Sequence, residues 1–235
     1  IEYFQSISST NDYLKAKLEE NNNYATKVCL SEEQTHGRGT RGKKWESSNS
    51  ENIYMTYNLD LTVNIKLSNI NLQLIPIISA ISTCEAIESL YPNIIIQLKW
   101  PNDIFINNKK LGGILIDIIN YKNQPKHALI GIGLNINPLN SSNIDNIKQP
   151  ITNLSHEVVK VVKAFEFNKD NIKINREFII NKTIENINFY ITTLHKNNNI
   201  KQLLKKWNLR DIYYNKTIKI NNNIGTHIGV TELGE

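Results

Sequence analysis

Between Gly37 and Trp45 the chain reads Gly37-Arg38-Gly39-Thr40-Arg41-Gly42-Lys43-Lys44-Trp45. Three glycines let backbone approach a ligand closely, two arginines and two lysines bind anions, and the indole offers a stacking face. The combination suits a nucleotide phosphate with adenine nearby. A solvated basic loop, or a loop touching RNA or DNA phosphates, has the same composition. No Gly-Lys-Ser/Thr closes the segment and no helix pattern follows it, so it is neither a Walker loop nor a dinucleotide fingerprint.

Three later segments carry related chemistry. Lys99-Trp100-Pro101-Asn102-Asp103 is a turn at a strand end, whose amide and carboxylate could face a base edge or a metal-phosphate pair; a plain β-turn is the simpler reading. Lys109-Lys110-Leu111-Gly112-Gly113-Ile114-Leu115-Ile116-Asp117 sets two lysines at the mouth of a strand, where two glycines leave space for an apolar ligand. A hairpin with solvated lysines would look similar. In Gly131-Ile132-Gly133-Leu134-Asn135, alternation points both glycines to one face, and either a ligand or a bulky neighbouring side chain would fill the space they clear.

The elements that must position these segments follow from periodicity. Ser9 or Thr10 caps a helix with Tyr13, Leu14 and Leu18 on its apolar side, ending at Asn21 to Asn23; the first element is therefore expected to be helical. Thr26 to Glu33 and Asn52 to Val63 read as strands around the polar loop, and Leu72 to Leu90 as a core helix. Ile94 to Trp100, Asp103 to Asn107, Leu111 to Ile119 and Lys126 to Asn135 are four closely spaced strands, which predicts a largely antiparallel sheet. Beyond Pro150, Val158 to Phe165, Phe178 to Leu194 and Ile200 to Trp207 read as helices able to cover one face of it. Thr217 to Ile220 and Thr226 to Thr231 are two short strands, too little for an independent core.

Composition narrows the class. In 235 residues, 40% hydrophobic and 21% charged describe one main globular domain with at most a small appendage. No apolar run is long enough to span a bilayer and residues 1–10 carry no secretory pattern, so a cytoplasmic location is the default expectation, with no membrane partner. Cys29 and Cys84 fit neither a metal-ligand spacing nor a disulfide framework and are expected to be reduced and buried. The net charge of +5 suits an anionic substrate but owes much to Lys-Asn stretches, and the Asn triplets are loop filler.

Taken in order, Ser9-Thr10-Asn11, Gly37 to Trp45, Lys99 to Asp103, Lys110 to Leu115 and Gly131 to Asn135 resemble the ordered motifs of the biotin protein ligase catalytic domain, across roughly the first 60% of the chain. The resemblance implies an α+β fold of the class II aminoacyl-tRNA synthetase-like kind: a mixed, largely antiparallel sheet packed against helices, over residues 1–208, with a small, partial SH3-like β domain at 209–235. It implies a monofunctional enzyme without an N-terminal DNA-binding domain, which forms biotinyl adenylate from biotin and ATP and passes biotin to a lysine of biotin carboxyl carrier protein. Lys110 and Arg38 would be catalytic. Ser9, Thr10, Asn11, Gln34, Gly37, Arg38, Gly39, Thr40, Lys110, Gly113, Leu115, Gly131 and Gly133 would bind biotin. Arg38, Arg41, Lys44, Trp45, Asn102, Asp103, Lys110 and Asn135 would bind ATP, with Asp103 also a ligand for Mg²⁺. No nucleic-acid partner is expected, and a homodimer is compatible with the family.

Two positions depart from the family's pattern. Thr40 stands where its glycine-rich loop carries a second arginine, with Arg41 the nearest substitute, and Ser47-Ser48-Asn49-Ser50 replaces a Ser-Pro-x-Gly turn. A lipoate or octanoate ligase or transferase is the nearest alternative, and a nucleic-acid-binding module or biotin-dependent repressor the alternative of another class.

Overall fold

A computed structural model describes residues 1–21, 24–48, 51–62, 72–139, 149–164, 172–194, 197–220 and 223–235. Asn22, Asn23, Asn49, Ser50, Val63, Phe165, Lys196, Asn221 and Asn222, which fall in the sequence-derived elements and turns, lie outside them. Seven strands form one sheet: β1 (Glu2–Ile7), β2 (Val28–Gln34), β3 (Ile53–Asp60), β4 (Gln97–Lys99), β5 (Asp103–Ile106), β6 (Lys109–Tyr121) and β7 (Gln124–Leu134). Their spatial order is β1-β2-β3-β7-β6-β5-β4, and every pairing except β1 with β2 is antiparallel. The expected largely antiparallel α+β architecture is therefore present.

The first element corrects the sequence reading, being strand β1 and not a helix. Glu2, Phe4 and Ile7 are half-buried while Tyr3, Gln5 and Ser6 are exposed, the pattern of an edge strand with one wet face. Helix α1 (Thr10–Glu20) follows, with Ser9 as its N-cap accepting a hydrogen bond from the Asp12 amide at 3.3 Å. Helices α2 (Ile75–Leu90), α3 (Leu154–Ala164), α4 (Arg176–Thr193) and α5 (Asn197–Asn208) complete the α-helices among the described residues.

The two sheet faces are built differently. Alternate residues Ala128, Ile130, Ile132 and Leu134 of β7 join Ile114 of β6, Met55 and Tyr57 of β3 and the buried sides of α2 to α5 in one hydrophobic core. Burial comes from α2, hydrophobic nearly all round, with Trp207 of α5 fully enclosed. On the opposite face, Cys29 of β2 and Leu129 of β7 meet Leu14 and Leu18 of α1 in a much smaller cluster. The helices thus do not all cover one face: α1 lies alone on the second, and leaves part of it open.

Near the C-terminus, β8 (Thr217–Ile220) pairs with β9 (Asn223–Thr226) in a separate exposed hairpin. The second strand precedes the expected Thr226 to Thr231, because cross-strand pairing ends at His227, whose amide donates to the Lys216 carbonyl at 2.9 Å. The Asp211 carboxylate accepts from the Trp207 indole at 3.1 Å and lies 2.7 Å from His227 Nε2, tying this region to α5. No described helix is long and apolar enough to cross a membrane.

Candidate functional site

The open part of the second face is a cavity of about 520 Å³. Its floor is a row of alternating residues. Gly131 and Gly133 of β7 share the face of Leu129, and Gly113 and Leu115 of β6 lie opposite them in register. Glycine within a strand costs about 0.5–1 kcal/mol relative to alanine, so three together require a reason. At Gly131 a Cβ would stand 3.4 Å from Asn11 Nδ2; at Gly133 it would stand 2.6 Å from Trp45 Cε2. The bulky side chain over Gly133 is therefore Trp45, whose indole also reaches Gly113.

Lys110 enters this cavity because the β5–β6 register shifts. Ile104 pairs with Gly112 but Phe105 with Lys110, which leaves Leu111 as an extra residue. Counting back regularly from Gly113 would place Leu111 on the cavity face and bury Lys110. The bulge reverses both: Leu111 is fully buried in the main core, while Lys110 Nζ sits 2.7 Å from Asp103 Oδ1 and 5.4 Å from the Trp45 ring. Gly112 points away from the cavity, its missing Cβ accommodating Leu134 Cδ2 at 2.4 Å and the Gly133 carbonyl at 2.6 Å. Only Gly113 of the two adjacent glycines clears ligand space.

The segment Gly37 to Trp45 is a closed hairpin, not an open loop. The Trp45 amide donates to the Gly37 carbonyl at 2.9 Å and the Gly39 amide to the Lys43 carbonyl at 2.7 Å, around a turn where Arg41 and Gly42 take φ of 58° and 71°. Gly37 is demanded by the Trp45 carbonyl, 2.5 Å from where a Cβ would be. Arg38, Gly39, Thr40, Lys43, Lys44 and Trp45 line the cavity; Gly37 and Arg41 do not, and Arg41 is exposed. The cross-hairpin hydrogen bonds join residues within the segment itself, and no apolar alternation marks them in so short a polar stretch.

The neutral wall comes from α1 and its neighbours. Gln34 Oε1 accepts from the Thr10 amide at 2.8 Å and from its hydroxyl at 3.1 Å, and Thr10 Oγ1 lies 2.9 Å from Thr56 Oγ1. Asn11 is 3% exposed, yet neither its amide nitrogen nor its oxygen has a hydrogen-bond partner among the described residues. Trp45 Nε1 and Asn135 Oδ1 are buried and unpartnered in the same way. An unsatisfied buried polar atom costs about 1–3 kcal/mol, and three such residues around one cavity mark a place where a ligand supplies the partners. Asn102 is committed elsewhere, its amide donating to the Ile114 carbonyl at 2.8 Å, so it braces the turn that presents Asp103.

Of the residues singled out in the sequence, Ser9, Thr10, Asn11, Gln34, Arg38, Gly39, Thr40, Lys44, Trp45, Asn102, Asp103, Lys110, Gly113, Leu115, Gly131, Gly133 and Asn135 all reach this one cavity. Lys43, one of the two anion-binding lysines read from the segment, lines it as well, whereas Glu46 and Thr56 line it and were not foreseen. Thr56 had a readable signal, since its alternation within β3 places a hydroxyl between Met55 and Tyr57 on the opposite face. As expected, both cysteines are free and buried; burial pushes the Cys29 thiol up to about 12 and Cys84 up as well, so neither offers a thiolate.

The pattern of the Biotin/lipoate A/B protein ligase family matches residues 3–135. The bifunctional ligase/repressor BirA of Bacillus spizizenii is 30% identical over 155 residues, covering 65% of this chain and 45% of that protein. The biotin--[acetyl-CoA-carboxylase] ligase of Mycobacterium tuberculosis is 29% identical over 133 residues, 54% of this chain and 46% of that one. The chain thus spans under half the length of these relatives. Among solved structures, the biotin protein ligase of Aquifex aeolicus in complex with biotin and ATP superposes with a TM-score of 0.68 at 22% identity, covering 98% of this chain and 87% of that one. The Helicobacter pylori biotin acetyl coenzyme A carboxylase synthetase with bound biotinylated ATP gives 0.65 at 20% identity, over 99% and 93%. At such identities the superpositions show a shared fold.

Proposed function

This chain belongs to the Biotin/lipoate A/B protein ligase family, and on that footing we propose that it is a biotin protein ligase. One observation carries the reading: a single cavity grades from a neutral hydrogen-bonding wall at Gly131, faced by Asn11, to a charged end at Gly113, faced by Trp45 and the Lys110–Asp103 ion pair. A ligand with an uncharged polar ring and a carboxylate fits the first part and extends into the second, where a nucleotide's phosphates meet Lys110, Lys43, Lys44 and Arg38.

The reaction balances without a covalent enzyme intermediate. A biotin carboxylate oxygen attacks the α-phosphorus of ATP, the bond from that phosphorus to the β-phosphate oxygen breaks, and pyrophosphate leaves. The neutral amine of a lysine on biotin carboxyl carrier protein then attacks the acyl carbon, the bond from that carbon to the phosphate oxygen breaks so that AMP departs with the bonding electrons, and the nitrogen releases one proton to solvent to leave the amide. Thr10, Asn11 and Gln34 hold the ureido ring. The Lys110 ammonium stabilises charge on the α-phosphate as the anhydride forms, a task of placement and electrostatics that needs no nucleophilic side chain. The Trp45 indole walls the nucleotide, and Asn135 offers its unpartnered oxygen to it.

The described residues contain no group of three metal-ligating side chains. Asp103 alone fits a Mg²⁺ ion that arrives on the nucleotide, since that ion is commonly held by one or two carboxylates plus phosphates. When bound it would neutralise phosphate charge; Asp103 would release Lys110 to take part.

The test is biotin-dependent exchange of labelled pyrophosphate into ATP. Exchange is expected with biotin and not with lipoate, and Lys110→Ala should remove it while leaving the melting temperature near that of the parent. A folded protein that exchanges with lipoate alone, or with neither acid, overturns the reading.

A further inference from the structure

Arg38 is the cavity-lining cation held by carboxylates from two other elements. Its Nη1 pairs with Asp12 of α1 and lies 3.1 Å from Asp117 Oδ2 of β6. Neither acid lines the cavity. Both are, however, direct continuations of its walls. Asp117 is the next residue after Gly113 and Leu115 in the row that faces the cavity, and Asp12 follows Thr10 and Asn11 in the first turn of α1. Arg38 therefore runs from hairpin to sheet across the rim. Both contacts use Nη1, and among the described residues Nε and Nη2 have no hydrogen-bond partner, so the fork keeps donors for a ligand.

Charge alone argues against this arrangement. Two carboxylates around one guanidinium make the local sum negative, which weakens attraction for a carboxylate or phosphate. A site built only to attract anions would leave Arg38 unpaired. What the acids supply is placement, because the hairpin bearing Arg38 hydrogen-bonds mainly to itself and a long side chain on it would otherwise sample many rotamers. Asp12 makes the shorter contact, but Asp117 is the more shielded anchor, its side chain 23% exposed against 46% for Asp12.

We infer that Asp117, assisted by Asp12, is a positioning residue that fixes the Arg38 guanidinium across the cavity rim with its free donors turned to the anionic substrate. The inference rests on the function proposed above. It makes a prediction opposite in sign to simple charge balance: Asp117→Asn keeps the shape and removes a negative charge, so charge balance predicts a lower KM for biotin or ATP and positioning predicts a higher one.

The experiment measures pyrophosphate exchange for the parent, Asp117→Asn, Asp117→Glu, Arg38→Ala and the double variant Asp117→Asn with Arg38→Ala, together with the Arg38 guanidinium NMR signals of the ligand-free proteins. Asp117→Asn is expected to raise KM on the order of tenfold, the size of a lost hydrogen bond to a charged group, with a smaller change in kcat and partial rescue in Asp117→Glu. The same substitution should change nothing further once Arg38 is alanine, and the restricted Arg38 signals should average in Asp117→Asn. An unchanged or lowered KM, or an equal loss in the Arg38→Ala background, overturns the inference. If the folded parent shows no exchange, the proposed reaction fails, and Arg38 signals indifferent to Asp117→Asn then overturn the anchor by themselves.

Discussion

The glycines of the sheet floor and those of the Gly37 to Trp45 hairpin look alike in sequence and serve different ends. On the floor, Gly113 and Gly133 clear a slot that the Trp45 indole enters, and Gly131 keeps open the space before Asn11. In the hairpin, Gly37 yields to a backbone carbonyl and Gly42 supplies a left-handed turn. Thus a glycine-rich segment is no guide to where a ligand touches backbone: the hairpin contributes mainly side chains, and the sheet contributes the vacancy.

Substitutions can break or sharpen that contrast. The largest effect is expected at Gly112, which belongs to neither group. A methyl there meets the Gly133 carbonyl at 2.6 Å, a backbone atom that cannot turn aside. Gly112→Ala should destabilise the fold by about 1–3 kcal/mol, the usual cost of overpacking, and displace Lys110 by disturbing the bulge; thermal melting and pyrophosphate exchange would both fall. Next comes Gly133→Ala, which drives the indole from its slot and should raise KM for ATP more than it lowers stability. Adding Trp45→Phe should recover part of the melting temperature, and no recovery would mean that the indole is not what occupies the slot.

Gly131→Ala should behave in the opposite way. Its methyl makes ordinary contacts at 3.4 Å, so stability should hold or rise by up to about 1 kcal/mol, while a narrower space beside Asn11 raises KM for biotin and leaves KM for ATP alone. The smallest effect is expected from Thr40→Arg on the exposed hairpin, within about 0.5 kcal/mol in stability. The added cation at the cavity lining should slow escape of the adenylate, read as less free biotinyl adenylate in solution; an unchanged release rate would separate Thr40 from its retention.

Much of the fold was legible because long apolar elements announce themselves. Helix α2, the strand β3 and the paired strands β6 and β7 bury enough surface for periodicity to dominate, and the N-cap Ser9 marks α1 locally. β1 was not, since an edge strand with one wet face has little apolar signal and its parallel partner is more than twenty residues away. β9 was misplaced for a related reason: all four of its residues are exposed, so no burial pattern marks its ends.

The candidate site divides along the same line. Residue types and order alone determined which side chains are available: the cations of Gly37 to Lys44, the amides at Asn11 and Asn135, and the lysine before Leu111. Their convergence depended on tertiary structure. The bulge at Leu111 decides that Lys110 faces the cavity and not the core, and the partial cover by α1 decides which sheet face stays open. Asp12 and Asp117, 105 residues apart, meet on one guanidinium only after the sheet has formed. Local chemistry is written into neighbouring residues, whereas register and face depend on how whole strands pair, where one extra residue reverses the side chains beyond it.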